Sequence, residues 1–377
     1  MSAPPPTPGP CVRFRHYTVL CGDNESVSRE FFVAGRLCLF GEHSDWAAGY
    51  RNLNSAITVG KTLIAGTNQG LYARAERHSS HLVMRSTLEN GQTVGPREIP
   101  MEVELLRSEA AAGGFFSYSA GVACQILSSH RVGGLVIDNY KTDLPIKKGL
   151  SSSAAVCVMM ARIFNHLYDL QLTSQDEMEY AYQGETMTPS RCGRMDQGCA
   201  MGPGPTLMIH DRETVAFESI RVGASIPMVL VDLGSEKNTT EILRRLNSCY
   251  PHARTPVERG VQEFLGPLNI DLIDRASVAL KEGDGKRLGA LMIEAQQLFD
   301  LHCIPVCPDE LAAPVLHKVL SHPMVQECVW GGKGVGSQGD GSAQFVARNE
   351  NDREGLMRVL DKELGLASLS FDLRPTA

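Results

Sequence analysis

The chain lacks a basic excess: 36 Lys and Arg stand against 43 Asp and Glu, a formal net charge of −7. A protein that tracks nucleic acid needs the opposite balance, so a small-molecule partner fits better. Also missing is any run approaching the ~18 consecutive apolar residues of a membrane span. The first ten residues, MSAPPPTPGP, hold five prolines and no basic segment followed by an apolar core. Neither an anchor nor an export signal is therefore expected, and the location is read as cytoplasmic. Dense, evenly spaced cysteines are absent too. The eleven present scatter from Cys11 to Cys328, which argues for reduced thiols serving as small core residues rather than for a secreted disulfide scaffold. The nearest pairs, Cys192 with Cys199 and Cys303 with Cys307, have no second pair at zinc-site spacing. No repeat with a period of about 20–50 residues is visible, which removes solenoids and propellers.

What is present reads as a globular enzyme. Apolar residues make up 43% and charged residues 21% of 377 positions, too many for one core, so two lobes are expected. Residues 1–11 form a flexible lead, and ordered structure begins at 12. Strand patterns occupy 12–23, 31–40, 55–67, 70–77 and 81–86, and helical periodicity takes over at 115–128 and 154–168. Composition breaks at 202–205 (GPGP), and the segments 207–210, 215–217 and 227–232 read as strands of a new unit. The expected domains are thus 12–210 and 211–377. Helices follow at 239–247, 274–302 and 310–320, then a strand at 343–347 and a helix at 351–364. The class is α+β.

Four segments carry chemistry. In 143–155, DLPIKKGLSSSAA, a strand turns through Gly149 into a helix, and a helix N-terminus offers free N–H groups and partial positive charge to phosphate. Ser151, Ser152 and Ser153 can cap the helix, bind phosphate oxygens or hold magnesium, although a serine-rich cap without a ligand would look the same. In 35–49, GRLCLFGEHSDWAAG, Arg36 precedes an apolar run, and Glu42, His43 and Asp45 follow it at once. Such a cluster suits recognition of hydroxyl groups, or is an ordinary solvated turn. In 191–197, RCGRMDQ, Asp196 is a candidate base or positioning carboxylate, and Glu185 could supply the carboxylate that magnesium needs. In 331–341, GGKGVGSQGDG, six glycines make a close-approach loop. Gly334, Gly336 and Gly339 spell GxGxxG, but the loop leads into a strand, which a dinucleotide site does not. Gly60-Lys61-Thr62 imitates the end of a Walker loop but has Ser55 where a glycine is required.

In this order, the segments resemble the three motifs of the GHMP kinases, and the first is similar to the galactokinase signature. The resemblance implies a two-lobed fold: an N-terminal mixed α/β lobe, a C-terminal ferredoxin-like α+β lobe, and the active site between them. It implies ATP and Mg2+ as cofactors and a sugar phosphorylated at its anomeric hydroxyl. Asp196 and Arg36 would be catalytic, and Glu42, His43 and Asp45 would bind sugar hydroxyls. Lys148, Gly149, Leu150, Ser151, Ser152, Ser153 and Ala154 would contact phosphate, and Ser152 with Glu185 would hold magnesium. Gly334, Gly336 and Gly339 would form the last loop. Departures from the family pattern are Lys147, Gln338 and Asp340 at usual glycine positions and Trp46 for tyrosine, while 237–240 (KNTT) looks more like mevalonate kinase. Other acceptors therefore stay open: arabinose, fucose, a heptose, a uronic acid or mevalonate. So does a silent sugar- and ATP-binding regulator, as does the choice between monomer and dimer.

Overall fold

The computed structural model describes residues 28–144, 150–190, 192–235 and 237–375. The expected lead, the strand expected over 12–23, and Lys147, Lys148 and Gly149 lie outside the described residues.

The first lobe runs β1 (Arg29–Phe40), α1 (Ser44–Gly49), β2 (Gly60–His78), β3 (His81–Thr87), β4 (Thr93–Pro100), α2 (Val103–Ala112), α3 (Ser117–Ser129), β5 (Gly134–Thr142), α4 (Ser152–Tyr168), α5 (Ser174–Thr186), β6 (Thr206–Asp211) and β7 (Thr214–Ser219). Its sheet has the order β4-β3-β5-β2-β6-β7, with β1 paired along β2. The strands expected over 55–67 and 70–77 are one 19-residue strand, β2. One end of β2 pairs with β6 and the other with β5, so its length is used on both sides. From Val33 to Phe40 every residue of β1 is buried, as expected for a strand covered on both faces. Helix α4 packs against β1 with the face read from its periodicity: Ala154, Ala155, Val158, Met159, Ile163 and Leu167 are all buried.

The second lobe runs β8 (Ile226–Asp232), α6 (Thr239–Asn247), α7 (Pro256–Glu263), α8 (Asn269–Glu282), α9 (Gly285–Cys303), α10 (Pro308–Leu311), α11 (Pro314–Leu320), α12 (Pro323–Cys328), β9 (Val329–Gly334), β10 (Ser342–Ala347), α13 (Glu350–Lys362) and β11 (Ser368–Leu373). Its antiparallel sheet, ordered β11-β8-β10-β9, has the ferredoxin-like arrangement. The strands at 207–210 and 215–217 do not start this unit. They are β6 and β7 of the first sheet, and the chain changes sheets between Ser219 and Ile226. The helix expected over 274–302 is two helices. Gly283, at φ 70°, ends α8, and the Asp284 side chain accepts the Arg287 N–H to cap α9. The helix expected over 310–320 is likewise interrupted before Pro314.

The lobes are joined at the end of β1. Lys333 on β9 forms an ion pair with Glu42, both almost fully buried. Gln344 on β10 donates to the Cys38 carbonyl at 2.8 Å, and Ser44 Oγ donates to the Leu265 carbonyl at 2.9 Å. Among the described residues no helix is long and apolar enough to cross a membrane. The nine described cysteines are free, and seven of them are buried.

Removing one partner of a buried ion pair strands the other charge. Lys333→Met is therefore expected to destabilise the fold by about 3–5 kcal/mol, and adding Glu42→Gln to recover most of the loss. Denaturant midpoints of the two single variants and the double variant check this.

Candidate functional site

A cleft of about 1080 Å³ opens between the lobes, lined by Arg36, His43, Asp45, Ser151 and Asp196 on one side and by Lys237, Thr239, Thr240, Arg244 and the glycine loop on the other. That volume lies at the upper end of the usual range for small-molecule sites.

Its floor joins three distant parts of the chain. Arg36, inside the apolar run of β1 and only 3% exposed, forms an ion pair with Asp196 and donates to Ser151 Oγ. Ser151 Oγ in turn donates to Asp196 Oδ1 at 2.8 Å. Burial alone would depress the Arg36 guanidinium, but the Asp196 carboxylate, with Cys38 and Asp45 beyond it, holds it charged, above its ordinary pKa. The Nε and Nη1 atoms of Arg36 are buried without a hydrogen-bond partner. Two donors beside a carboxylate are therefore unspent.

The segment after β1 divides. Gly41, at φ 94°, makes the turn, where a Cβ would collide with the backbone of β2. Glu42, expected to bind a sugar hydroxyl, lies off the cleft wall and is committed to Lys333. His43 and Asp45 do face the cleft. His43 Nδ1 accepts the Trp46 indole N–H at 3.1 Å, so a neutral ring carries its proton on Nε2, which has no partner. Burial, aided by the charges of Lys237 and Lys333, lowers the His43 pKa to about 4. The Asp45 pKa is raised to about 6 by burial and by the nearby Asp196 carboxylate, against N–H donors at Trp46 and Met195. Gly193 passes so close that a Cβ there would overlap the Asp45 carboxylate.

Around the serine turn the expected roles separate. Leu150 and Ala154 are core residues, able to offer only backbone atoms, and Ser151 faces the cleft with φ 53°. Ser151 makes no side-chain cap, its hydroxyl being turned to Asp196. Ser152 and Ser153 are not on the cleft wall. It is Ser153, with Gln197 at 2.7 Å and Ser190 at 3.3 Å, that hydrogen-bonds Glu185. Burial, reinforced by Asp196, raises the Glu185 pKa. Among the described residues no group of three or more His, Cys, Asp or Glu side chains is placed to hold a metal ion by itself, but carboxylate and hydroxyl oxygens are the hard donors that suit magnesium. In the glycine loop, Gly336 lines the cleft, whereas Gly334 closes β9 with its N–H on Gln296 and Gly339 sits beside Lys237.

The opposite wall is what residue-by-residue reading underrated. Lys237, Thr239, Thr240 and Arg244 all line the cleft. Lys237 donates to the Gln338 carbonyl at 2.6 Å, and burial lowers its pKa to about 8. The polar stretch 237–240, directly after the apolar strand β8, was the available signal.

Two outcomes follow from this geometry. The ordinary aspartate pKa is near 4, so the stability that neutral Asp45 contributes is whole below about pH 4 and is lost as pH rises through about 6. Asp45→Asn is accordingly expected to melt above the parent protein at about pH 7.5, with the advantage shrinking toward about pH 4.5. Gly193→Ala is expected to displace the Asp45 carboxylate and lower ligand affinity about tenfold or more with little change in melting temperature. Calorimetric titration against a nucleotide and sugar panel measures it.

The family model described as GHMP kinases N terminal domain matches residues 117–203, from α3 through the serine turn to just past Asp196. The galactokinase of Streptococcus suis is 26% identical over 256 residues, covering 66% of this chain and 60% of that protein. That of Thermococcus kodakarensis is 24% identical over 295 residues, covering 71% and 76%. The match thus spans about three fifths of the Streptococcus relative. The structure of Lactococcus lactis galactokinase complexed with galactose superposes with a TM-score of 0.68 at 16% identity, covering 92% of this chain and 93% of that one. The L. major mevalonate kinase in complex with R-mevalonate gives 0.66 at 18%, covering 93% and 98%. At these identities the structural likeness is one of fold. Residues 117–203 of the first lobe thus carry a GHMP kinases N terminal domain, and the chain as a whole shares the fold of these kinase structures.

Proposed function

We propose that the chain is an ATP-dependent kinase that transfers a phosphoryl group to a small sugar, at its anomeric hydroxyl. The observation that carries this reading is the Arg36–Ser151–Asp196 cluster, in which a charged donor, a helix N-terminus and a carboxylate meet at the floor of one cleft. The galactokinase relatives support a sugar as acceptor. Structural likeness extends equally to mevalonate kinases, so mevalonate belongs in the same test.

Phosphoryl transfer asks the protein chiefly for positioning and charge stabilisation. The N–H groups at the start of α4 receive the nucleotide's terminal phosphates. Asp196 accepts a hydrogen bond from the acceptor hydroxyl and takes its proton as the oxygen bonds to the γ-phosphorus. The bond from that phosphorus to the β–γ bridging oxygen breaks, and ADP leaves. Arg36, with two donors unspent, stabilises the charge that spreads over the transferring group. Asp45 binds another hydroxyl of the acceptor. Magnesium would be held by Glu185 and a hydroxyl of the 151–153 serine run, and would neutralise phosphate charge. A non-catalytic binding protein would not need a buried arginine and a carboxylate aimed at the same spot.

Asp196→Asn is expected to cut substrate-dependent ADP release by about 100-fold to 10,000-fold while nucleotide affinity stays within about threefold. Near-parental turnover in that variant, across a panel of sugars and mevalonate, would falsify the assignment.

A further inference from the structure

We propose that the acceptor carries an anionic group, carboxylate or phosphate, bound between Lys237 Nζ on one wall of the cleft and His43 Nε2 on the other. The proposal rests on the kinase reading above and narrows its substrate class to acidic sugars.

The cleft's polar groups fall into two sets. Arg36, Ser151 and Asp196 bond to one another, the two donors Arg36 has left being assigned above to the transferring phosphoryl group, and Asp45 feels their charges. Lys237, His43 and the glycine loop form the second set. Lys237 reaches across from the start of α6, its stem laid so closely over Gly341 that a Cβ there would meet its Cε and Nζ at 2.6 Å. One of its three ammonium protons is used, on the Gln338 carbonyl. Among the described residues Lys237 has no carboxylate partner. The acid whose charge it feels, Glu42, is already held by Lys333. His43, 5% exposed and stacked at 6.5 Å on Phe299, presents an Nε2 donor that nothing accepts, with the Ser337 backbone across from it closing no hydrogen bond of good geometry. The fields of both lysines reach this ring.

The other charges on this wall are engaged locally. Arg244 is bound to Glu241 at 2.6 and 2.7 Å, and the Asp232 carboxylate accepts the Gly234 N–H at 3.1 Å. Outside the transfer cluster there remain one positive charge and one neutral N–H, both donors, on residues that line the same cleft. A sugar hydroxyl could satisfy the imidazole, but it would bury the ammonium without a counter-charge when the cleft fills, and an unpaired charge is expensive to desolvate. A group with two anionic oxygens answers both donors at once. The nucleotide's phosphates do not fill this role in the reading above, because their place is the start of α4.

The test compares matched acceptors by ADP release: galactose with galacturonate, glucose with glucuronate, and each hexose with its 6-phosphate. The expected result is a kcat/KM at least about tenfold higher for an acidic member than for its neutral partner, equivalent to about 1.4 kcal/mol. The carboxylate and phosphate arms show which anion is preferred. Lys237→Met is expected to collapse that ratio by at least about tenfold, and Lys237→Arg to retain it. Equal or better use of neutral sugars sinks the proposal, as does a ratio that survives in Lys237→Met. A kcat that falls equally for both partners also overturns it, by placing the amine on the nucleotide. If no sugar releases ADP, the kinase reading itself has failed. Thermal shifts of the protein loaded with a non-hydrolysable ATP analogue then still read the anion preference, and no extra stabilisation by acidic sugars counts against it.

Discussion

A guanidinium in the buried two thirds of a strand is tolerable only with its counter-charge in place. Arg36 occupies such a position, and Asp196 and Ser151 come to it from 160 and 115 residues away. The cost of leaving that charge alone exceeds what a single hydrogen bond contributes, so the ion pair fixes where the serine turn and the Asp196 segment must lie. Stability and site geometry are thus one requirement here. The donors left over on Arg36 make the same residue available to a ligand.

The charges around the cleft are sorted by partner rather than by sign. Glu42 and Lys333 neutralise each other between the lobes and take no part in the wall. Burial, reinforced by the nearby Asp196 carboxylate, raises the Asp45 pKa, which makes the ionisation of Asp45 sensitive near pH 6. His43, kept neutral by burial and by the lysines, presents an N–H rather than a charge. Each acid or base that looked equivalent along the chain has therefore acquired a different state from its surroundings.

Much of this was legible beforehand. Local patterns gave the buried face of α4, the strand β1 and the helix α6, because periodicity and capping residues are carried by neighbours in sequence. The glycine segment was expected as a loop leading into the strand at 343–347, and it does lead there, although Gly331 to Gly334 belong to β9; the cluster of Arg36, His43, Asp45, Ser151 and Asp196 does meet in one cleft. What failed depends on distant partners. Strands β6 and β7 look like the start of something new after a GPGP break, yet their pairing along β2 returns them to the first sheet. Glu42 looked like a ligand because nothing nearby in the sequence announces Lys333, 291 positions later. The long helix over 274–302 was a different error, since Gly283 and Asp284 spelled a stop and a start that the apolar periodicity on either side obscured.

That distance between Glu42 and Lys333 has a consequence for synthesis. While the chain emerges from a ribosome, the first sheet can form long before β9 and β10 exist, and during that interval the end of β1 presents a bare carboxylate and an open Cys38 carbonyl where the second sheet will sit. The nascent first lobe is therefore incomplete in its wiring as well as its size, and the turn after β1 gains its last partners only when the C-terminal strands arrive.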